Sequence, residues 1–169
     1  MPISFVFKHK TMKKLINPWV NRKGYRCFGC DPNHEHGLRM TFYEDGEDIV
    51  SHWTPNNDSQ GWIDTLHGGI QATLCDEIAG WVVFRKMRTS GMTSRLDVRY
   101  HKPVSTKEGS VSLRARLRQQ RMSMAYIDVE LRNAAGELCT EALCVYYMFP
   151  QDQAKAQFGY EECMVEGEE

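Results

Sequence analysis

The sequence predicts an α+β fold in which a curled antiparallel sheet of about six strands wraps around one long central helix. The first observation is the order of elements, because two β-prone runs precede a helical segment and four longer β-prone runs follow it. The second is that the helical segment carries few charges on either side, so most of its surface should be buried. Long strands around one helix cannot stay flat, and the sheet should therefore curl.

The strands before the helix are predicted at 38–43 and 48–53, joined by a polar turn at 44–47. A turn-rich loop follows at 54–64. After the helix, strands are predicted at 92–101, 110–121, 124–133 and 138–149. The segment 154–159 is either a single turn of helix or disordered.

The central helix is predicted over residues 68–88 from the period of its apolar side chains. One broad face carries Ile70, Leu74, Ile78, Trp81 and Phe84. The other side is also small or apolar, with Ala72, Ala79, Gly80 and Val83. This helix should therefore be covered by the sheet on most of its circumference.

Charge is balanced overall and uneven along the chain. The formal net charge of −1 favours neither nucleic acid nor an anionic membrane, and we expect neither as a partner. Basic residues dominate an N-terminal arm (1–24), and glutamates dominate a C-terminal tail (151–169); we interpret both as solvated tails flanking a domain at 25–150. Residues 1–11 would be a disordered extension if translation starts at Met12.

The chain shows no pattern of a secretory leader and no apolar run long enough to span a membrane. The 6 cysteines are not spaced as a disulfide framework. We therefore expect a cytoplasmic protein with reduced thiols.

Three segments resemble hotdog-fold thioesterases of the PaaI-like type, the phenylacetic-acid-degradation family. The segment 66–77 begins with Leu66-His67-Gly68-Gly69 and places Asp76 nine positions after the histidine. The segment 91–103 resembles the family's third strand, which ends in a proline after an aromatic residue. The leader Cys27-Phe28-Gly29-Cys30 with Gly37-Leu38 is seen in many members. The resemblance covers roughly residues 25–150 and departs at Gly61, where some members carry a substrate-binding asparagine, and at Asp31, where a second glycine is usual.

The resemblance implies an enzyme that hydrolyses acyl-CoA to free acid and coenzyme A. Asp76 would be the general base or nucleophile, and Thr93 would position the attacking water and reach the acid across a dimer interface. His67, Gly68, Gly69 and Trp62 would bind the substrate. Physical chemistry supports the glycines, because the first amides of a helix have no partner within it and can bind a developing oxyanion. The family also implies self-association as a dimer or tetramer through the strand at 92–101.

Glu77 is the alternative acid. It projects about 100° from Asp76 around the helix and would otherwise be a buried structural acid held by Arg85 or by an arginine of the sheet. Four arginines alternate along a predicted strand: Arg114, Arg116, Arg118 and Arg121. They form either a solvated face of the sheet or a binding surface for the coenzyme A phosphates.

Other functions remain open at this point. A hotdog dehydratase or hydratase on acyl thioesters is one, and a non-catalytic acyl-CoA-binding module is another. Cys27 and Cys30, with His34 and His36 following, have the chemistry of zinc ligands, but no second pair follows at a zinc-finger spacing. We expect no metal ion and no cofactor, coenzyme A being part of the substrate.

Overall fold

The structure is a computed structural model that describes residues 12–168. The expected extension at 1–11 lies outside the described residues. Seven strands are present: β1 (Lys13–Lys14), β2 (Tyr43–Asp45), β3 (Asp48–Trp53), β4 (Gly91–Tyr100), β5 (Val111–Arg121), β6 (Met124–Arg132) and β7 (Leu138–Met148). The helices are α1 (Gly68–Val82) and α2 (Gln151–Phe158).

All seven strands form one antiparallel sheet in the order β1-β2-β3-β5-β6-β7-β4. The sheet packs around α1, which contacts five of the strands from β3 to β7. The predicted fold class, a hotdog fold, is confirmed, with seven strands where about six were expected. β4 lies at the edge of the sheet, as the sequence indicated.

The predicted strand at 38–43 is wrong for most of its length, since β2 begins only at Tyr43. The backbone of this segment bonds to the cysteine leader instead: the Leu38 amide donates to Phe28 O at 2.7 Å and the Met40 amide to Gly29 O at 2.9 Å. The side chains of Leu38 and Met40 are buried. These hydrogen bonds hold the segment as a loop, and its buried apolar residues produced the strand-like pattern in the sequence.

The central helix occupies the predicted segment but changes its winding. α1 ends at Val82 and continues as a π-helical segment, Val83–Met87, before Arg88 adopts a left-handed conformation. Leu74 and Ile78 of α1 are fully buried against the sheet, where they meet side chains such as Ile127. Full burial of a side chain of this size stabilises the fold by about 1.5–3 kcal/mol.

The basic arm and the acidic tail are not separate solvated tails, because they pack against each other. The Ile16 amide donates to Met164 O at 2.8 Å, and the Glu166 amide donates to Lys14 O at 2.8 Å. Val165 in the tail is buried. The tail contains apolar side chains among its glutamates, and these are covered by the arm. The segment 151–158, expected in part as a turn or disorder, is helix α2.

All six cysteines are free thiols, as expected. None of the helices between residues 12 and 168 has the length and apolar character needed to cross a membrane.

Candidate active site

The start of α1 is capped by the side chain of His67. Its Nδ1 atom accepts a hydrogen bond from the Gly69 amide at 2.9 Å. Tyr100 of β4 donates its hydroxyl to Gly68 O at 2.6 Å. Of the hydrogen bonds within residues 12–168, none is donated by the Gly68 amide. The sequence suggested two free amides here, but the cap occupies one, which leaves Gly68 as the glycine with a donor for a ligand.

Asp76 lies on α1 with one carboxylate oxygen fixed. Its Oδ1 atom accepts from Thr93 Oγ1 at 2.9 Å and from the Tyr146 hydroxyl at 2.8 Å. The Tyr146 hydroxyl also lies 2.7 Å from Asp76 O, so it can donate to either oxygen. Within the described part of the chain, Oδ2 accepts no hydrogen bond. The structure brings Asp76 and Thr93 together within one chain, where the sequence analysis expected a contact across a dimer interface.

Tyr146 is the residue of this cluster that sequence reasoning missed. It lies on β7, 70 positions from Asp76, and belongs to none of the three family-like segments. Its ring lies beside Gly80: a Cβ at Gly80 would be 3.4 Å from the Tyr146 hydroxyl oxygen. No signal in the sequence links Tyr146 to Asp76, because only the pairing of the strands around α1 brings the two residues together.

The raised pKa of Tyr146 keeps its hydroxyl protonated, so that the group remains a hydrogen-bond donor. Burial raises its pKa well above the usual range, and the negative charge of Asp76 raises it further. Its hydroxyl therefore remains protonated and bonded to the aspartate.

Glu77 lies apart from this cluster and has partners other than those predicted. Its Oε1 atom accepts from Cys27 Sγ at 3.4 Å. Burial, and next the charge of Cys27, raise the pKa of Glu77 to about 8. Arg85, the predicted partner, instead donates to Glu44 and Glu168. The expectation that Glu77 is held by an arginine is therefore wrong.

The cysteine leader meets α1 at Glu77. The ligand atoms of Cys27, Cys30 and Glu77 all lie within 4.8 Å of one another, whereas His34 and His36 are not part of this group. A hydrogen bond from Cys30 lowers the pKa of the Cys27 thiol against the opposing effect of burial. Two sulfurs and a carboxylate are the atoms here that could hold a metal ion.

A cavity of about 390 Å³ separates the two groups. Its lining includes Thr93, Tyr146 and Gly91 from the first group and its strand, and Cys27, Cys30 and Glu77 from the second. The remaining lining is largely aromatic or apolar: Trp19, Tyr25, Gly80, Phe84, Ser90, Met92 and Phe158. Asp76 is thus connected through Thr93 and Tyr146 to an apolar space.

Trp62 does not pack in the core. Its side chain is 85% exposed, in the loop before His67. This exposure leaves the side chain free of the core, and the predicted contact with substrate stays a prediction.

The arginines of β5 are largely neutralised. Arg114 donates to Asp45 at 2.8 Å and also pairs with Asp48, which Arg116 binds as well. Arg118 pairs with Asp128. Three of the four predicted arginines are thus neutralised, and only Arg121 makes no ion pair within residues 12–168.

The fold and the position of the carboxylate define this protein as a hotdog-fold protein with an aspartate on its central helix, close to an edge strand. Residues 64–140 match the family model described as the thioesterase superfamily. No curated protein matches the chain.

Several solved structures share the fold at low sequence identity. One, described as a thioesterase superfamily protein, is 21% identical with a TM-score of 0.67; the match covers 72% of this chain and 59% of that protein, so the chain spans less than two thirds of its length. A hypothetical thioesterase from Streptococcus pneumoniae TIGR4, solved with coenzyme A, is 22% identical with a TM-score of 0.61, and the match covers 66% of this chain and 90% of that one. Zebrafish thioesterase superfamily member 2 is 19% identical with a TM-score of 0.61, with 69% and 88% covered.

Proposed function

We propose that this protein hydrolyses acyl-CoA thioesters to free acid and coenzyme A, with Asp76 as general base or nucleophile. The observation that carries the proposal is the hydrogen bonding of Asp76: Thr93 and Tyr146 both donate to Oδ1, and Oδ2 has no donor within residues 12–168. A carboxylate held in one orientation with a free oxygen can take a proton from water or attack a carbonyl directly. The family match and the pneumococcal structure with coenzyme A support an acyl-CoA substrate.

The Gly68 amide is the proposed oxyanion donor. It is the first amide of α1 and has no partner inside the helix, and the helix dipole adds positive charge at this end. The absent side chain lets a carbonyl oxygen approach closely. Loss of one such donor typically raises the barrier by about 3 kcal/mol. His67 would contribute indirectly by capping the helix at Gly69.

The Gly68 amide and Asp76 of one chain are too far apart to act on one carbonyl. Asp76 lies eight positions after Gly68 in α1, which at 1.5 Å per residue is about 12 Å along the helix axis. A reacting carbonyl needs its oxyanion donor and its base each at roughly 3 Å. We therefore propose that Gly68 of one chain and Asp76 of another act together, in at least a dimer.

The edge strand β4 is the proposed contact between chains. It pairs only with β7, which leaves its other side without a strand partner in the described part of the chain. Met92 and Tyr100 on this strand are about half exposed. Unpaired edges of this length are usually paired or protected. Pairing with a second copy would bring the Tyr100 and Thr93 regions close to the partner.

The acyl group is proposed to enter the cavity beside Thr93 and Tyr146. Its aromatic lining suits an aryl-acetyl or medium-chain acyl group. Acetyl should be a poor substrate because each buried CH₂ contributes about 0.8 kcal/mol. The exposed Trp62 would cover the thioester from the loop before α1. The proposed reaction uses water and Asp76, without a metal ion or redox cofactor.

Release of free coenzyme A from acetyl-, hexanoyl- and phenylacetyl-CoA tests the proposal. We expect turnover of the two larger substrates, and a loss of about 10²–10⁴-fold in kcat for Asp76→Asn. Glu77→Gln makes the same kind of change at the neighbouring residue, which lines the cavity without bonding to Asp76, so its kcat should fall far less than that of Asp76→Asn even where its KM changes.

Three results would count against the proposal. Retention of most of kcat by Asp76→Asn would remove Asp76 from the chemistry. Tight binding of all three compounds without release of coenzyme A would indicate a binding module. Addition of water to an enoyl-CoA without hydrolysis of the thioester would indicate a hydratase.

A further inference from the structure

Two cysteines and a glutamate from distant parts of the sequence converge at the junction of the leader and α1. Cys27 and Cys30 lie in the leader loop, and Glu77 lies on the central helix. Their ligand atoms are within 4.8 Å of one another, and Cys27 Sγ lies 3.4 Å from Glu77 Oε1. We propose that these three side chains form a binding site for a divalent cation of the Zn²⁺ class. Thiolate sulfur and carboxylate oxygen are ligands that Zn²⁺ takes in proteins.

Gly29 shows that the loop is shaped around the carboxyl group of Glu77. A Cβ atom at Gly29 would overlap the Glu77 carboxyl carbon and its Oε2 atom. The backbone of Gly29 is not in the left-handed region, so any residue could adopt its conformation. A side chain at position 29 would therefore force the Glu77 carboxyl group away from its present place beside the two cysteines. A backbone hydrogen bond also holds the loop in place, because the Met40 amide donates to Gly29 O at 2.9 Å.

Polar groups behind Cys30 orient its sulfur. The Tyr25 hydroxyl lies 3.1 Å from Cys30 Sγ, and Asn17 Nδ2 donates to the Tyr25 hydroxyl at 2.8 Å. Asn17 Nδ2 is also 3.8 Å from the sulfur. Hydrogen bonds of this kind, made to the ligand atoms by residues that do not touch the ion, hold the ligands of protein metal sites in position.

The protein supplies three ligands, and the fourth position of a tetrahedral ion would be taken by water on the cavity side. Cys27, Cys30 and Glu77 all line the cavity that Thr93 and Tyr146 also line. The ion would connect the leader to α1 and hold one wall of this cavity. Its binding free energy would add to the stability of the fold, because the unfolded chain does not bring Glu77 to the cysteines. This inference does not depend on the proposed hydrolysis.

Titration of the full-length, reduced protein with Co²⁺ tests the site. We expect one ion per chain and a sulfur-to-cobalt charge-transfer band in the near ultraviolet, which Zn²⁺ abolishes by displacing the cobalt. Zn²⁺ should also raise the melting temperature. Cys27→Ser and Cys30→Ser should lose both the band and the shift. Cys139→Ser, a buried thiol outside the group, should keep both.

Two further variants keep both thiols and carry the test if a cysteine variant does not fold. Glu77→Gln and Gly29→Ala should each weaken the metal affinity by at least about tenfold, the first by removing a ligand oxygen and the second by displacing it. No charge-transfer band at saturating Co²⁺ would overturn the proposal, as would unchanged affinity in Cys27→Ser and Cys30→Ser. Loss of binding in His34→Ala or His36→Ala would show that the ligand set is a different one.

Discussion

The Tyr146 hydroxyl restricts Asp76 to one side-chain orientation, because it contacts both the backbone carbonyl and the Oδ1 atom of that residue. Thr93 donates to the same Oδ1 atom from the edge strand. The second carboxylate oxygen is consequently the one presented to a ligand. Orientation of this kind matters for catalysis, since a displacement of about 1 Å can cost about 10²-fold in rate.

Tyr146→Phe should therefore lower kcat toward acyl-CoA by about 10–10²-fold while leaving the fold intact. The loss of the hydroxyl should also lower the free energy of unfolding by about 1 kcal/mol. Steady-state kinetics and urea unfolding measure the two effects. Tyr147→Phe is the matched control, because its neighbouring side chain points to the other face of the strand and is 41% exposed. Equal kcat in the two variants would show that the tyrosine does not position Asp76.

Elements that are distant in sequence meet at Arg85 and Lys86 of the π-helical segment. Both side chains bind Glu44 of β2, and Arg85 also bonds to Cys163 O at 2.7 Å and to Glu168 in the tail. Burial alone would raise the pKa of Glu44, but the hydrogen bonds and charges of the two cations lower it to about 2. The winding change after Val82 therefore lies where the helix is attached to β2 and the tail.

Glu44→Gln should lower the free energy of unfolding at pH 7 by about 1–2 kcal/mol. The folded pKa of Glu44 lies below the unfolded value, so its contribution is complete above about pH 5 and is lost as the pH falls toward 2. Urea unfolding of both proteins at several pH values should show the difference shrinking across that window. Glu47→Gln, in the exposed turn beside it, should show no such trend. A difference that stays constant down to pH 2 would contradict the assignment.

The sequence predicted helices and strands accurately where a regular pattern of apolar residues continued over many positions. The strand predicted at 110–121 is β5, Val111–Arg121, and the predicted helix start coincides with Gly68. It failed at 38–43, where apolar side chains are buried by a loop whose backbone bonds to the leader. Site residues that lie close together along the chain could be proposed from the sequence. Tyr146 could not, because only folding brings it to Asp76.

At the scale of the whole molecule, the segment 12–24 and the C-terminal tail carry opposite charges and contact each other. Lys14 pairs with Glu166 at 3.3 Å, and Arg22 pairs with Glu161. Exposed pairs of this kind contribute little individually. The burial of Cys163 and Val165 under the arm supplies the larger apolar contribution. Although the net charge of the chain is near zero, a basic segment and an acidic segment of it contact each other.

The proposal of a site shared between chains has a direct test in mixed assemblies. Gly68→Pro removes the proposed oxyanion amide, and proline is tolerated at the first position of a helix. His67 has ψ 133°, an extended conformation that a following proline accepts. Gly68→Ala separates the two roles of this glycine, because it keeps the amide and adds only a methyl group 3.4 Å from the Tyr100 ring, so it should retain more activity than Gly68→Pro.

Gly68→Pro and Asp76→Asn should each be inactive alone, whereas their mixture should recover activity after subunits exchange. In a mixed dimer, one site combines Gly68 of the Asp76→Asn chain with Asp76 of the Gly68→Pro chain, and the other site lacks both groups. Random exchange gives mixed dimers in half of the population, each with one intact site, so about a quarter of the original rate should return. The same mixture measured before exchange is the control. If both groups acted within one chain, no intact site could form, and the mixture would remain inactive however long it was incubated.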